Sequence, residues 1–280
     1  LAICEALLSC REDFSDLSQQ AIKSMQGIGR PYPTSGYGSH FYQWVFSDNP
    51  KPYGSYGNGS AMRVSGCAYV SKTLDEVKAL SYAVTSVTHD HPEGLKGAEA
   101  VSVAVFLALN GKNILEIRDY IDKNYYRMDF SLDSIRADYS FDVTCQGSVP
   151  QALAAFFESI SFEDAIRNAI SLGGDSDTIA AITGSIAEAY YGVPNHIRKH
   201  ALTFLDKRLL SLLNKFEKKY PPRIEKVEDG NSIGISSPKS SGRKTKGNRE
   251  KMILSAFDEV DEVLGNLIAP VEETTSQKLY

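Results

Sequence analysis

The stretch that most constrains this chain is Gly173–Gly192, GGDSDTIAAITGSIAEAYYG. Two glycines precede aspartates spaced i, i+2, and a run of small residues at helical periodicity follows. The pattern predicts a helix with Asp175 and Asp177 at or near its N-terminus and Thr178 one step further in. A carboxylate there gains from unpaired backbone N–H groups and from the positive end of the helix dipole, so a capping role is one reading of the pair. The other is a metal site: two carboxylates and a hydroxyl within four residues make a hard, oxygen-only cluster suited to Mg²⁺ or Mn²⁺. Ala180, Ala181, Gly184, Ser185 and Ala187 predict a slim helix able to pack deep in a domain. The aspartates would then be partly buried and would need cations or hydrogen-bond donors.

The chain has 280 residues, enough for one substantial core or one domain with an appendage. A net charge of −5 argues against a general nucleic-acid binder, which would present a basic face. No apolar run is long enough to cross a membrane as a helix. Cys4, Cys10, Cys67 and Cys145 show no CxxC or metal-ligand spacing and read as reduced thiols of a cytoplasmic protein. The opening LAICEALLSC lacks Met and reads as a helix already under way, so a missing N-terminal part is expected.

Along the chain, helices are expected at 1–9, Asp16–Met25 (closed by Gly27 and Gly29), Leu74–Val87, Ala98–Leu109, Ile114–Tyr125, Ser148–Ser159 with Pro150 in the first turn, Ser161–Leu172, the organising stretch, and His196–Lys219. No alternating strand pattern exceeds a few residues, so the class is all-α. Ile28–Ser60, rich in Pro, Gly and aromatic residues, reads as a long irregular segment. Its aromatics either line a pocket or fasten the loop to the core. Arg127–Gly147 reads as irregular and solvated. Beyond Arg223 the composition shifts: 223–250 reads as a disordered linker, and 251–280 could hold an amphipathic helix and a tail.

Two further stretches carry chemistry. In Gly57-Asn58-Gly59-Ser60, a tight turn precedes a helix, and its backbone N–H groups could cradle a phosphate or form an ordinary turn. Arg63 could pair a phosphate or a core carboxylate. In THDHPEGLKGAEA, His89 and His91 stand at a helix end. Their i, i+2 spacing is a poor chelate, so hydrogen bonding to a ligand or capping the helix C-terminus is the better expectation.

GNGSAMRVSG at Gly57–Gly66, THDHPEGLKGA at Thr88–Ala98 and the Gly173–Gly192 stretch, in this order and spacing, resemble the ADP-ribosylglycohydrolase family, which includes the dinitrogenase reductase-activating glycohydrolases. The resemblance runs from Leu1 to about Tyr220. It implies an all-α fold around two metal ions, Mg²⁺ or Mn²⁺, with Asp175, Asp177 and Thr178 as one half of their ligands and the two aspartates as catalytic groups. The other half in the family is a Thr-Asp-Asp-Thr stretch before the first helix, with no match here. The resemblance also implies that Gly57, Asn58, Gly59, Ser60 and His89 bind the ADP-ribose diphosphate, all facing the cavity that holds Asp175. It further implies an ADP-ribosylated protein or ADP-ribose derivative as partner.

Two function classes follow. The first is a metal-dependent hydrolase of the glycosidic bond of ADP-ribose, impaired as this polypeptide. The second is an ADP-ribose-binding pseudo-enzyme without turnover. The surviving Asp175, Asp177 and Thr178 favour the first.

Overall fold

The computed structural model describes residues 1–221, and every element among them is helical apart from one isolated bridge between Gly57 and Thr144. In order they are α1 (Ala2–Ser9), α2 (Leu17–Gly29), α3 (Ser39–Phe46), a 3-10 turn (Ala61–Arg63), α4 (Gly66–Val70), α5 (Leu74–Thr85), α6 (Pro92–Leu109), α7 (Ile114–Asn124), α8 (Leu132–Ile135), α9 (Cys145–Phe157), α10 (Phe162–Ser171), α11 (Ser176–Tyr191), α12 (Asn195–Thr203) and α13 (Lys207–Lys219). The all-α expectation holds. The linker expected at 223–250 and the helix and tail expected at 251–280 lie outside the described residues.

Helix α6 is the axis of the core. Ala98 and every residue from 100 to 105 are fully buried, and Glu99 alone in this stretch reaches water, beside Lys78 and Tyr125. A helix that is apolar all round is stable only when surrounded, and α4, α5, α7, α9 and α11 surround it. His91 caps its N-terminus, accepting from the Glu93 N–H, and Pro92 occupies the first helical position. Helix α6 therefore starts six residues before the expected Ala98, and His91 caps the start of α6 rather than the end of α5.

Helix α11 packs against α6, α9 and α10. Its buried face is built of Ile179, Ile182 and Ile186, and Thr183 Oγ1 donates to the Ala152 carbonyl of α9. The small residues divide: Ala187 is fully buried, Ala180, Gly184 and Ser185 are half-buried, and Ala181 is exposed. Gly184 lets α10 approach closely, since a methyl group there would lie 3.0 Å from Ile166 Cδ1.

Other boundaries also differ. Helix α2 runs through Gly27 and Gly29, because Gly29 packs against Val45 and the helix stops only before Pro31. Helix α3 lies inside the segment expected to be irregular. Trp44 anchors it there, buried and donating through Nε1 to the Val87 carbonyl. Helix α9 starts at Cys145, where Thr144 accepts from the Gly147 N–H, so Pro150 falls inside the helix rather than in its first turn. The long helix expected at His196–Lys219 is two: Asp206 caps α13 by accepting from the Leu209 N–H and breaks the chain after α12. The cap expected at Ser161 is present, with its hydroxyl accepting from the Asp164 N–H.

Candidate active site

Gly173 and Gly174 bring the chain into α11 with φ of 70° and 65°, a left-handed backbone that favours glycine. Gly174 has a second constraint: a methyl group on it would lie 2.7 Å from Tyr139 Cε1. This double turn delivers Asp175 to the N-cap position, yet its side chain makes no capping bond. It reaches across instead, where Asn58 Nδ2 donates to Asp175 Oδ2 at 2.6 Å. Asp177, exposed in the first turn, accepts from the Thr178 N–H at 2.8 Å. Thr178 is buried, with its hydroxyl 3.9 Å from Met62 Sδ.

Asn58 is held in place from several sides. Its N–H donates to the Val143 carbonyl, and the Cys145 N–H donates to the Tyr56 carbonyl. The Asn58 amide also donates to Ser148 Oγ at 2.9 Å. The Ser148 hydroxyl in turn reaches the carbonyls of Asp142 and Thr144. Asp142 is half-buried, and its carboxylate accepts from the Thr144 N–H and shapes the turn that supports Ser148. Tyr139 donates from its hydroxyl to the Gly147 carbonyl and so joins the same turn to α9.

The electrostatics at Asp175 are unbalanced. Burial pushes its carboxyl up from the ordinary value and the neighbouring Asp177 pushes it further, while the donors on Asn58 and Thr178 pull it back. Asp175, Asp177 and the Thr178 hydroxyl are the oxygen groups that could meet a cation here. Their chemistry fits one hard divalent ion. Among the described residues no group of three or more His, Cys, Asp or Glu is placed to hold a metal, so the aspartate pair has the Thr178 hydroxyl as its third oxygen.

His89 lies over the glycine turn. It is 4% exposed, and a methyl group on Gly57 or Gly59 would lie 3.6 or 3.7 Å from its Nε2. Its Nδ1 is 2.7 Å from Thr88 Oγ1 and 3.3 Å from Arg63 Nη2. Burial, reinforced by the Arg63 charge, lowers its pKa to about 3. Arg63 has no carboxylate partner among the described residues: it donates to Thr88 Oγ1 at 2.6 Å and lies over the Phe41 ring. The aromatics of the 28–60 segment divide between two jobs. Trp44 fastens the segment, whereas Tyr53 and Tyr56 stand beside His89 and His91.

The structure thus brings Asn58, Ser60, His89 and Asp175 to one region. The Ser60 hydroxyl is turned away, donating to the Gly57 and Gly94 carbonyls. Sequence reasoning missed Ser148, Thr88 and Tyr139, which support the site without displaying a signal of their own. Only the THDH run, which places a hydroxyl beside His89, could have pointed to Thr88.

Fold and site together define a helical domain in which a glycine turn is hydrogen-bonded to an acid pair at a helix start. The chain belongs to the ADP-ribosylglycohydrolase family, whose model matches residues 1–224. It is 27% identical to ADP-ribosylhydrolase ARH3 of Homo sapiens over 186 residues, covering 50% of this chain and 51% of that protein. It is 32% identical to ADP-ribosylarginine hydrolase Tri1 of Pseudomonas putida (strain GB-1) over 150 residues, covering 49% of this chain and 39% of that one. The chain spans about half the length of the curated relatives it matches. Among solved structures, an ADP-ribosylglycohydrolase-related protein complex superposes with a TM-score of 0.56 at 21% identity, covering 78% of each chain, which shows a shared fold. No helix among the described residues is long and apolar enough to cross a membrane.

Proposed function

We propose that this chain hydrolyses the glycosidic bond joining ADP-ribose to a protein side chain or a related acceptor, in the cytoplasm, with Mg²⁺ or Mn²⁺ as cofactor. The observation that carries the reading is the Asn58–Asp175 hydrogen bond, which ties a phosphate-type glycine turn to the acid pair. The names of the relatives, ADP-ribosylhydrolase and ADP-ribosylarginine hydrolase, support the same substrate class.

In this reading the backbone N–H groups of Gly57–Ser60 and the His89 imidazole hold the diphosphate. Asn58 fixes Oδ2 of Asp175, and the carboxylate so held faces the distal ribose. Asp175 and Asp177 stabilise positive charge developing at the anomeric carbon. A divalent ion held by Asp175, Asp177 and Thr178 would supply Lewis acidity and orientation. Three chain donors, with waters filling the rest of one Mg²⁺ shell, leave too little negative charge for two dications side by side. At most one ion binds, weakly, and turnover by this polypeptide is impaired.

The test is calorimetric titration of the 280-residue chain with ADP-ribose and with Mg²⁺ or Mn²⁺, beside a release assay on ADP-ribosylated protein. ADP-ribose binding with slow, cation-dependent release, abolished in Asp175→Asn, supports the hydrolase. Binding without release supports the pseudo-enzyme. Absence of ADP-ribose binding refutes both.

A further inference from the structure

Arg63 is a half-buried cation with no carboxylate partner among the described residues. Its Nε is buried without a hydrogen-bond partner among the described residues, and its guanidinium sits 5.4 Å from the centre of the Phe41 ring. A guanidinium can only donate. Thr88 Oγ1, 2.6 Å from Nη2, must therefore accept from Arg63. The single Thr88 hydroxyl proton then has two places to go: His89 Nδ1 at 2.7 Å or the Thr85 carbonyl at 3.4 Å. Because Arg63 Nη2, 3.3 Å from Nδ1, can only donate, Nδ1 is an acceptor and the Thr88 proton goes to it. His89 Nδ1 thus faces a donating hydroxyl and, 3.3 Å away, a second Arg63 N–H. A proton on Nδ1 would confront both, so a neutral ring carries its proton on Nε2. That nitrogen has no hydrogen-bond partner among the described residues and lies beside the turn, on the side where a methyl group on Gly57 or Gly59 would stand.

We propose that Arg63 and Thr88 are positioning residues that lock His89 with its proton on Nε2, making it a fixed donor to a diphosphate oxygen of ADP-ribose on the Gly57–Ser60 turn. The donor role rests on the ADP-ribose reading of the site; the lock itself does not. A locked donor rewards an oxygen that only accepts, as phosphoryl oxygens do, and gives nothing to a ligand that presents a hydroxyl proton there. The groups facing the ring are Arg63 and Tyr53, with Asp90 next in sequence and engaged by the Gly54 N–H. Arg63 keeps its charge at neutral pH although burial lowers its pKa to about 10. The lock is therefore charged on one side and neutral at the imidazole.

The experiment uses the ¹⁵N-labelled full chain, with His89 assigned by its loss in His89→Asn. A long-range ¹H–¹⁵N spectrum of the free protein should show Nδ1 as the unprotonated nitrogen and Nε2 as the protonated one. Thr88→Val, which removes the hydroxyl at nearly constant volume, should mix the tautomers and weaken ADP-ribose by about tenfold, the loss of one charge-assisted hydrogen bond. Thr88→Ser should restore both readouts. Adenosine, which lacks the diphosphate, should bind Thr88→Val and wild type alike. A proton on Nδ1 in wild type, or an unchanged tautomer in Thr88→Val, overturns the lock. An equal loss of adenosine binding overturns the donor role in favour of a structural one. A wild-type chain with the proton on Nε2 that fails to bind ADP-ribose overturns the ligand reading while the spectrum upholds the lock.

Discussion

Asn58 Nδ2 lies 2.6 Å from Asp175 Oδ2, joining residues 117 positions apart in sequence. The glycine turn and the acid pair are therefore one unit, set by a single amide whose second contact is Ser148. Asn58→Ala leaves the half-buried Asp175 carboxylate without that donor. The expected cost is about 1–3 kcal/mol of stability, with a parallel loss of ADP-ribose affinity. Urea denaturation and calorimetry check both. A variant as stable as wild type would mean that solvent already satisfies Asp175.

Asp177→Asn should have the opposite effect on stability. Asp175 ionises against its own burial and against the neighbouring negative charge. Removing that charge should stabilise the cation-free protein by up to about 1 kcal/mol, the scale of an exposed charge pair, while abolishing divalent-ion binding. A carboxyl whose folded pKa is raised binds its proton better when folded, so its ionisation costs stability as pH rises through the raised value. The gain in Asp177→Asn should thus appear at pH 7 and shrink in acid. A destabilised variant at neutral pH would show that Asp177 does more for the helix start than it costs. Such exchange of stability for function is common at active sites.

His89 sets an acid limit. Its pKa falls from 6.5 to about 3 on folding, chiefly through burial. Between those values the unfolded chain binds a proton that the folded chain refuses. This contribution is full above pH 6.5 and is lost as pH falls towards 3. Thermal unfolding of His89→Asn between pH 7 and 4 should decline less steeply than that of wild type. Parallel slopes would contradict a buried neutral imidazole.

Gly174 tests the entry to α11. A side chain there meets both a left-handed backbone and Tyr139. Gly174→Ala should cost about 1–3 kcal/mol in denaturant unfolding and displace Asp175, whereas Gly173→Ala, with no atom in its way, should pay the backbone strain alone. Equal costs at the two positions would argue against the Tyr139 contact.

The parts legible in the sequence were those written in one local run. The glycine pair, the Asp175/Asp177 spacing and the Ser161 cap declare themselves through turn and cap chemistry. Helix α3 was hidden because Trp44 is secured by the distant Val87 carbonyl rather than by a local pattern. The starts of α6 and α9 were misplaced because their caps, His91 and Thr144, sit before glycine-containing first turns that read as loop. The helix break at Asp206 was missed because a single capping aspartate inside a charged run looks like any surface charge. The supports of the site, Ser148 and Thr88, act through contacts that only the fold brings together. Arg63 could be placed near the site, but its protein partner among the described residues is the Thr88 hydroxyl rather than a carboxylate.

The most direct measurement of the central claim is calorimetric binding of ADP-ribose to the full chain, set beside Asn58→Ala and Asp175→Asn. Binding in wild type that each substitution weakens by tenfold or more, in chains that remain folded by circular dichroism, is the predicted result. Wild-type binding that neither substitution alters would place the ligand elsewhere and contradict the account.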